Sequence, residues 1–280
     1  MRDIFNLPDY SSVTEAPGVR VTPEAASMLY TRYAFAVGFC HGKEVLEVGC
    51  GCGMGLGYLG QNARRLVGGD FTESLLRRAH AHYGGRVLLV RLDAQTLPFR
   101  NESFDIVILF EAIYYLPRPE DFLTECKRIL RPDGVLLLCL PNKEWEGFNP
   151  SPRSTQYFSA RELQALLSNC SFAVDLLGAF RNYPRTLQQK ISAAVRKTAV
   201  RLRVIPKTMR GKEFLKRLFY GQLVELTEEI EEGTAPAQPL MPLSPDGPMP
   251  EFKILYVLAR PRSPRSAILK PGSQSTAIST

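Results

Sequence analysis

Four carboxylates in this chain stand at or just beyond the end of an apolar run: Glu47, Asp70, Asp93 and Glu111. Glu47 is the most informative, because Val48-Gly49-Cys50-Gly51-Cys52-Gly53 follows it and puts a glycine at every second position. Alternating glycines allow a tight turn and let a ligand approach where any Cβ would obstruct it. A loop built for phosphate favours bare N–H groups or cations. Glu47 instead suits a cationic group or sugar hydroxyls, so the expected ligand carries an ammonium, a sulfonium and a ribose but no phosphate. At the other acids the alternatives stay open. Asp70 can hold adjacent hydroxyls through bidentate acceptance or cap a helix, Asp93 can bind a ligand or make a turn, and Glu47 itself can cap the next helix.

The elements that must position these acids alternate. Strand-like runs are read at Val45–Val48, Arg65–Gly69, Val87–Leu92, Phe104–Phe110 and Val135–Leu140. Helical patterns lie between them at Met54–Asn62, Thr72–Tyr83 and Pro119–Leu130, the last stopped by Arg131-Pro132-Asp133-Gly134. Ser159–Asn169 reads as a further helix with a capping box, and Phe172–Phe180 and Phe252–Ala259 as two closing strands. Thr22-Pro23 marks the start of an N-terminal helix. Such alternation predicts an α/β fold, a seven-stranded, mostly parallel sheet with helices on both faces.

A sheet of this kind serves several nucleotides. The dinucleotide fingerprint fails at Gly49 and at Gly51, because Met54 and Leu56 stand where its third glycine belongs. It matches only at Gly55-Leu56-Gly57-Tyr58-Leu59-Gly60, inside the following helix, and there is no Walker lysine.

Over about residues 40–180 the chain resembles the class I S-adenosylmethionine-dependent methyltransferases, particularly the small-molecule group related to ubiquinone biosynthesis. The resemblance rests on Glu47–Gly53, Asp70, Asp93-Ala94 with Leu97-Pro98-Phe99, Ser103-Phe104-Asp105-Ile106-Val107, and Arg128–Gly134, in that order. It implies a Rossmann-like fold with S-adenosylmethionine as cofactor, held by Glu47, Gly49, Cys50, Gly51, Gly53, Asp70, Phe71, Asp93, Ala94 and Phe110. The acceptor is expected at Phe110–Tyr115 and at Pro141–Trp145, beyond the strand ends. Glu111, Tyr114 and Tyr115 are the candidate catalytic residues; the two tyrosines stand where relatives often have histidines. His41, His80 and His82 read as surface or structural, and Trp145 as pocket wall or packing.

The expected activity is methyl transfer to a small or carrier-linked metabolite at oxygen, in secondary metabolism or surface-sugar modification. The rivals are C-methylation of a quinone or polyketide-like ring, and a protein that binds the cofactor without transferring its methyl group.

The chain has 280 residues, 45% of them hydrophobic and 22% charged, enough for a sizeable core. Its apolar runs are too short to span a bilayer, and Met1–Asn6 lacks a signal-peptide core. The six cysteines form no CxxC pair and no zinc spacing, so a reduced, cytoplasmic setting without a metal is expected. Net charge is +7, yet residues 181–220 hold twelve Arg or Lys against the single acid Glu213, so the remainder is net acidic.

The expected organisation is an arm and helix over 1–40 acting as a lid, the cofactor-binding core over 41–180, a basic helical insert over 181–251, a final core strand over 252–260, and a disordered tail over 261–280. Within the insert, Ile191, Ala194, Val195, Thr198, Leu202 and Ile205 recur at helical spacing among Lys190, Arg196, Lys197, Arg201 and Arg203. The acids Glu225, Glu228, Glu229, Glu231 and Glu232 follow and are expected to neutralise that charge in part. Three functions compete for the insert. These are a lid giving cations to an anionic acceptor, a peripheral membrane contact, and a nucleic-acid surface, against which the missing binding module argues. A homodimer contact or a plain solvated face is the simplest account.

Overall fold

The computed structural model describes residues 9–182 and 222–262. The basic amphipathic pattern at 191–205, the apolar pattern at 214–219 and most of the predicted tail lie outside the described residues. In chain order the elements are β1 (Arg20–Val21), α1 (Pro23–Cys40), β2 (Glu44–Val48), α2 (Leu56–Gly60), β3 (Arg65–Asp70), α3 (Glu73–Tyr83), β4 (Leu88–Arg91) and β5 (Phe104–Phe110). A 3-10 turn at Ile113–Tyr115 precedes α4 (Pro119–Ile129), β6 (Leu130–Pro141), α5 (Ala160–Asn169) and β7 (Phe172–Arg181). After the gap come β8 (Val224–Glu225), β9 (Met241–Pro242) and β10 (Phe252–Pro261).

The main sheet has eight strands in the order β4-β3-β2-β5-β6-β10-β7-β9. The seven predicted strands are present, and the eighth, β9, is a two-residue edge strand that no sequence pattern announces. From β4 to β6 all neighbours are parallel, whereas β10 runs antiparallel to both β6 and β7. The chain winds outward from β2 to β4 and then returns to place β5 on the other side of β2. The crevice at that reversal is where open α/β sheets bind ligands.

Strand alternation sorts the core into two layers. Ile106, Ile108 and Phe110 of β5 face α1, α2 and α3, while Val107 and Leu109 face α4 and α5. Local signals set several ends. Thr22 Oγ1 accepts from Ala25 N at 3.1 Å to cap α1, and Ser159 with Glu162 completes the capping box of α5. Thr72 stands at the N-cap of α3 without capping it; its side chain accepts instead from Tyr10 N at 3.3 Å.

One expectation is corrected. The strand expected from Val135 begins at Leu130, so Arg131–Gly134 lies within β6, where pairing shifts from Phe104↔Leu130 to Ile106↔Val135. The extra residues bulge outward, and Arg131 pairs with Asp105 at 2.8 Å. Among the described residues the acidic run has partners in the core's helices. Leu226 and Ile230 bury against the core, and Glu229 bonds His82 at 2.6 Å and Arg86 at 2.7 Å. Glu232 accepts from Tyr30 at 2.9 Å and also from Tyr58. Residues 222–251 contain no helix, and 229–238 form a strap across α1, α2 and α3. Among the described residues no helix is long and apolar enough to cross a membrane.

Candidate functional site

The carboxyl ends of β2, β3 and β5 open into one cleft of about 390 Å³. Of the predicted ligand-binding residues, Gly49, Cys50, Gly51, Asp70, Phe71, Asp93, Ala94 and Phe110 line it, as do Glu111, Tyr114 and Tyr115. The loop after β2 turns because Gly49 and Gly51 take φ of 72° and 58°, a region that side chains disfavour. Gly49 N and Cys50 N both donate to Gly69 O, at 2.7 and 3.0 Å, which ties the loop to β3.

Asp70 is buried and fixes its neighbours with both oxygens. Oδ2 accepts from Gly51 N at 2.8 Å and Oδ1 from Thr72 N at 2.7 Å. Each carboxylate oxygen offers two lone-pair sites, so these bonds leave capacity for a ligand's hydroxyls. Burial raises the Asp70 carboxyl above its ordinary value, and the two backbone N–H groups oppose that rise. Asp93 makes an Asx turn, accepting from Gln95 N at 2.9 Å, so its turn role is real and compatible with a place on the cleft wall.

Glu47 and Gly53 are placed differently from expectation: neither lines the cleft. Gly53 turns into the protein, where its carbonyl accepts from Tyr83 Oη at 2.7 Å. Glu47 is 1% exposed and lies behind the loop, taking a 2.7 Å bond from Tyr33 Oη while its Oε2 is buried without a hydrogen-bond partner. Burial pushes its carboxyl up to about 7. Tyr33 does line the cleft, so the acid reaches that space through a phenol and through its field.

Glu111 sits just past β5 with φ 52°, an uncommon backbone state for a side-chain-bearing residue. Its amide stays in register, donating to Cys139 O at 2.8 Å, while Tyr114 Oη donates to Oε2 at 2.9 Å. Burial pushes this carboxyl too up to about 7, against the pull of Arg32. Tyr114 stacks on Tyr157 at 4.5 Å, and Tyr115 meets Tyr10 at 5.2 Å, so the cleft ends in an aromatic wall with Leu116 and Pro117.

Pro141–Trp145 does not reach the cleft. Asn142 turns inward, donating to Met249 O and Phe252 O, and Trp145 packs under Lys253 at 5.2 Å. His41 and His80 are exposed, and His82 serves the strap. The six cysteines are free thiols, and burial raises Cys50 and Cys52, away from reactivity. Among the described residues no cluster of His, Cys, Asp and Glu could hold a metal ion.

The sequence names no individual residue of the arm and helix over 1–40 as a member of the cleft. Tyr10, Val13, Thr14 and Glu15 of the arm, and Leu29, Arg32 and Tyr33 of α1, close one side of the cleft. It also missed Arg128, whose guanidinium donates to Leu97 O, Phe99 O and Asn101 Oδ1 and so holds the segment after Asp93.

Residues 46–138 match a family described as methyltransferase domain. A probable S-adenosylmethionine-dependent methyltransferase of Mycolicibacterium smegmatis is 37% identical over 148 residues, 50% of this chain and 56% of its own length. A fatty-acid O-methyltransferase of the same organism is 43% identical over 101 residues, 34% of this chain and 36% of its own. A solved S-adenosylmethionine-dependent methyltransferase of Thermotoga maritima shares the fold, with a TM-score of 0.55 and 16% identity, covering 86% of this chain and 92% of its own. The chain spans about half the length of the first of these curated relatives.

Proposed function

We propose that this chain, whose core carries a class I methyltransferase domain that works with S-adenosylmethionine, transfers a methyl group to an oxygen atom of a small or carrier-linked acceptor with an apolar body. When bound, S-adenosylmethionine supplies a methyl group already activated on a sulfonium, which leaves the protein to hold, align and exclude water.

The residues present fit that cofactor. Asp70 has acceptor capacity left for the ribose hydroxyls after its bonds to Gly51 and Thr72. Asp93 and Ala94, with Leu92 beside them, form the wall suited to adenine. The backbone at Gly49 and Gly51 can lie close to the ligand because no Cβ intervenes. Glu47 carries a buried oxygen without a partner directly behind the loop, a negative field that favours a sulfonium or ammonium. The observation that carries the reading is the convergence of Asp70, Asp93, Glu111 and the glycine loop on one cleft at the sheet's switch point.

For the acceptor, the reading rests on Glu111 and the aromatic wall. A carboxyl held near neutrality by burial can accept the proton of an acceptor hydroxyl as its oxygen attacks. Tyr114 orients that carboxylate through its 2.9 Å bond. Tyr10, Tyr115, Leu116 and Pro117 offer an apolar surface for the acceptor's body and exclude water from the reacting atoms. Likeness to a fatty-acid O-methyltransferase supports oxygen and an apolar acceptor.

The test is adenosylhomocysteine formation by the full chain with hydroxylated lipids, fatty acids, phenols, quinols and sugars as acceptors. Turnover with the apolar hydroxyl or carboxyl compounds is expected. Methylation of a quinol carbon in their place would select the C-methylation rival, and no turnover with any acceptor would leave only cofactor binding.

A further inference from the structure

The second glycine pattern, Gly55-Leu56-Gly57-Tyr58-Leu59-Gly60, falls on α2 and the residue before it, and none of its residues lines the cleft. Two of its glycines make room for other side chains of this chain. A Cβ at Gly55 would overlap the Tyr33 ring, and one at Gly57 would overlap Glu229 Oε2. The strap brings Glu229 to this place. Its other oxygen, Oε1, pairs with His82 at 2.6 Å and Arg86 at 2.7 Å on α3.

From there the strap holds the cleft's walls from behind. Ile230 N donates at 2.8 Å to the carbonyl of Met54, which lines the cleft where the glycine loop ends. On α1, Tyr30 Oη donates to Glu232 Oε1 at 2.9 Å and accepts from Gly233 N at 2.9 Å. Thr31 Oγ1 accepts from Gln238 N at 3.1 Å. Leu29, Arg32 and Tyr33, on either side of these two residues, line the cleft. Tyr58 of α2 donates to the second Glu232 oxygen. Just ahead of the strap, Leu226 exchanges two backbone bonds with the arm, at 2.9 Å from Gly18 N and 3.0 Å to Val19 O. Among the described residues, those lining the cleft all lie between Tyr10 and Pro117, so the strap acts on the walls and not on a ligand. A site assembled from separate segments binds best when they are held in place before the ligand arrives.

We infer that the strap, with Leu226 ahead of it, braces the cofactor cleft. Glu229 seated at Gly57 and Glu232 set between Tyr30 and Tyr58 are its positioning residues, and they raise cofactor affinity without touching the cofactor. This rests on the function proposed above. Gly55 and Gly57 are then receptacles for Tyr33 and Glu229, not a nucleotide motif. The coupling runs both ways. A cleft that binds its ligand more tightly with the strap docked must hold the strap more firmly, by the same factor, once the ligand is bound.

The experiment joins hydrogen exchange of the full chain, with and without saturating adenosylhomocysteine, to calorimetric titration of variants. The ligand should slow the amides of Leu226, Ile230, Gly233 and Gln238 by about fivefold or more beyond any slowing in α5. Glu232→Ala, at a temperature where urea unfolding shows it folded, should weaken adenosylhomocysteine by about fivefold or more. Glu232→Gln keeps a polar partner for both phenols and should restore affinity to within about twofold of the unaltered chain. Gly57→Ala should weaken binding by unseating Glu229. Added to Glu229→Ala it should cost nothing further, because the carboxylate it displaces is already gone.

Lower stability with unchanged affinity in Glu232→Ala and Gly57→Ala would make the strap structural only and overturn the inference. Strap amides slowed no more than those of α5 would do the same, since that is stabilisation of the whole fold. The exchange comparison needs no variant, so it decides the matter even if a substitution prevents folding. Additive losses from Gly57→Ala and Glu229→Ala would remove Glu229 as a positioning residue. Failure of the unaltered chain to bind adenosylhomocysteine would sink the proposed function itself, a different result from any of these.

Discussion

Asp70 Oδ2 accepts a hydrogen bond from Gly51 N at 2.8 Å, so the acid that ends β3 holds the loop that ends β2. One side chain thereby shapes the wall of the cleft and presents its remaining lone pairs to it. Loop geometry and ligand chemistry share a residue here, and damage to either should appear in both.

Gly51→Ala tests the loop. Its φ of 58° costs a side-chain-bearing residue about 1–2 kcal/mol, and the new Cβ would stand 2.9 Å from Thr14 Cγ2. Urea unfolding should show a loss of that order, together with weaker adenosylhomocysteine binding. A variant with unaltered midpoint and affinity would mean that the loop does not need the left-handed glycine.

Tyr33→Phe removes the hydrogen bond that favours ionised Glu47 and should cost about 1–3 kcal/mol. The pH dependence follows from Glu47, whose folded pKa is raised from 4.5 to about 7. Between those values the folded state binds the extra proton, so this group's contribution is full below the lower value and is lost as pH rises through the upper one. Because the tyrosine stabilises the anion, the variant's deficit should be larger at about pH 8 than at about pH 5. Equal deficits at both would show that Glu47 does not titrate in this range.

Glu111 as base predicts an acid limb in the pH–rate profile with a midpoint near the value of about 7 that burial gives it. The active form is the carboxylate, so the rate for a hydroxyl acceptor rises with pH through that midpoint. Glu111→Gln should remove the limb and lower kcat by about a hundredfold or more. An unchanged limb in the variant would take the proton away from Glu111.

Much of this arrangement was legible in the sequence because it is local. Each acid that ends a strand, Asp70 above all, follows an apolar run whose length sets where the side chain emerges, and the glycines mark the turn beside it. What was illegible depends on residues far apart in the chain. Arg32 looks like one polar position on a mostly apolar helix until α1 is laid across the ends of β2 and β5. The acids from Glu225 to Glu232 read as a bare charge run, since nothing local shows that Ile230 buries against the core and Ile230 N bonds Met54 O at 2.8 Å. Glu47 reads as part of the cleft wall because strand alternation leaves the face it takes undecided at the last residues, whereas Tyr33 lines the cleft and donates to that acid.

The central claim is that this cleft binds S-adenosylmethionine through Asp70, and calorimetric titration of adenosylhomocysteine into the unaltered chain and into Asp70→Ala tests it most directly. The account predicts one-to-one binding to the unaltered chain and a loss of about 1.5–3 kcal/mol, at least tenfold, in the variant, the scale of hydrogen bonds to a charged group. No binding to the unaltered chain, or equal affinity in the variant, would contradict it.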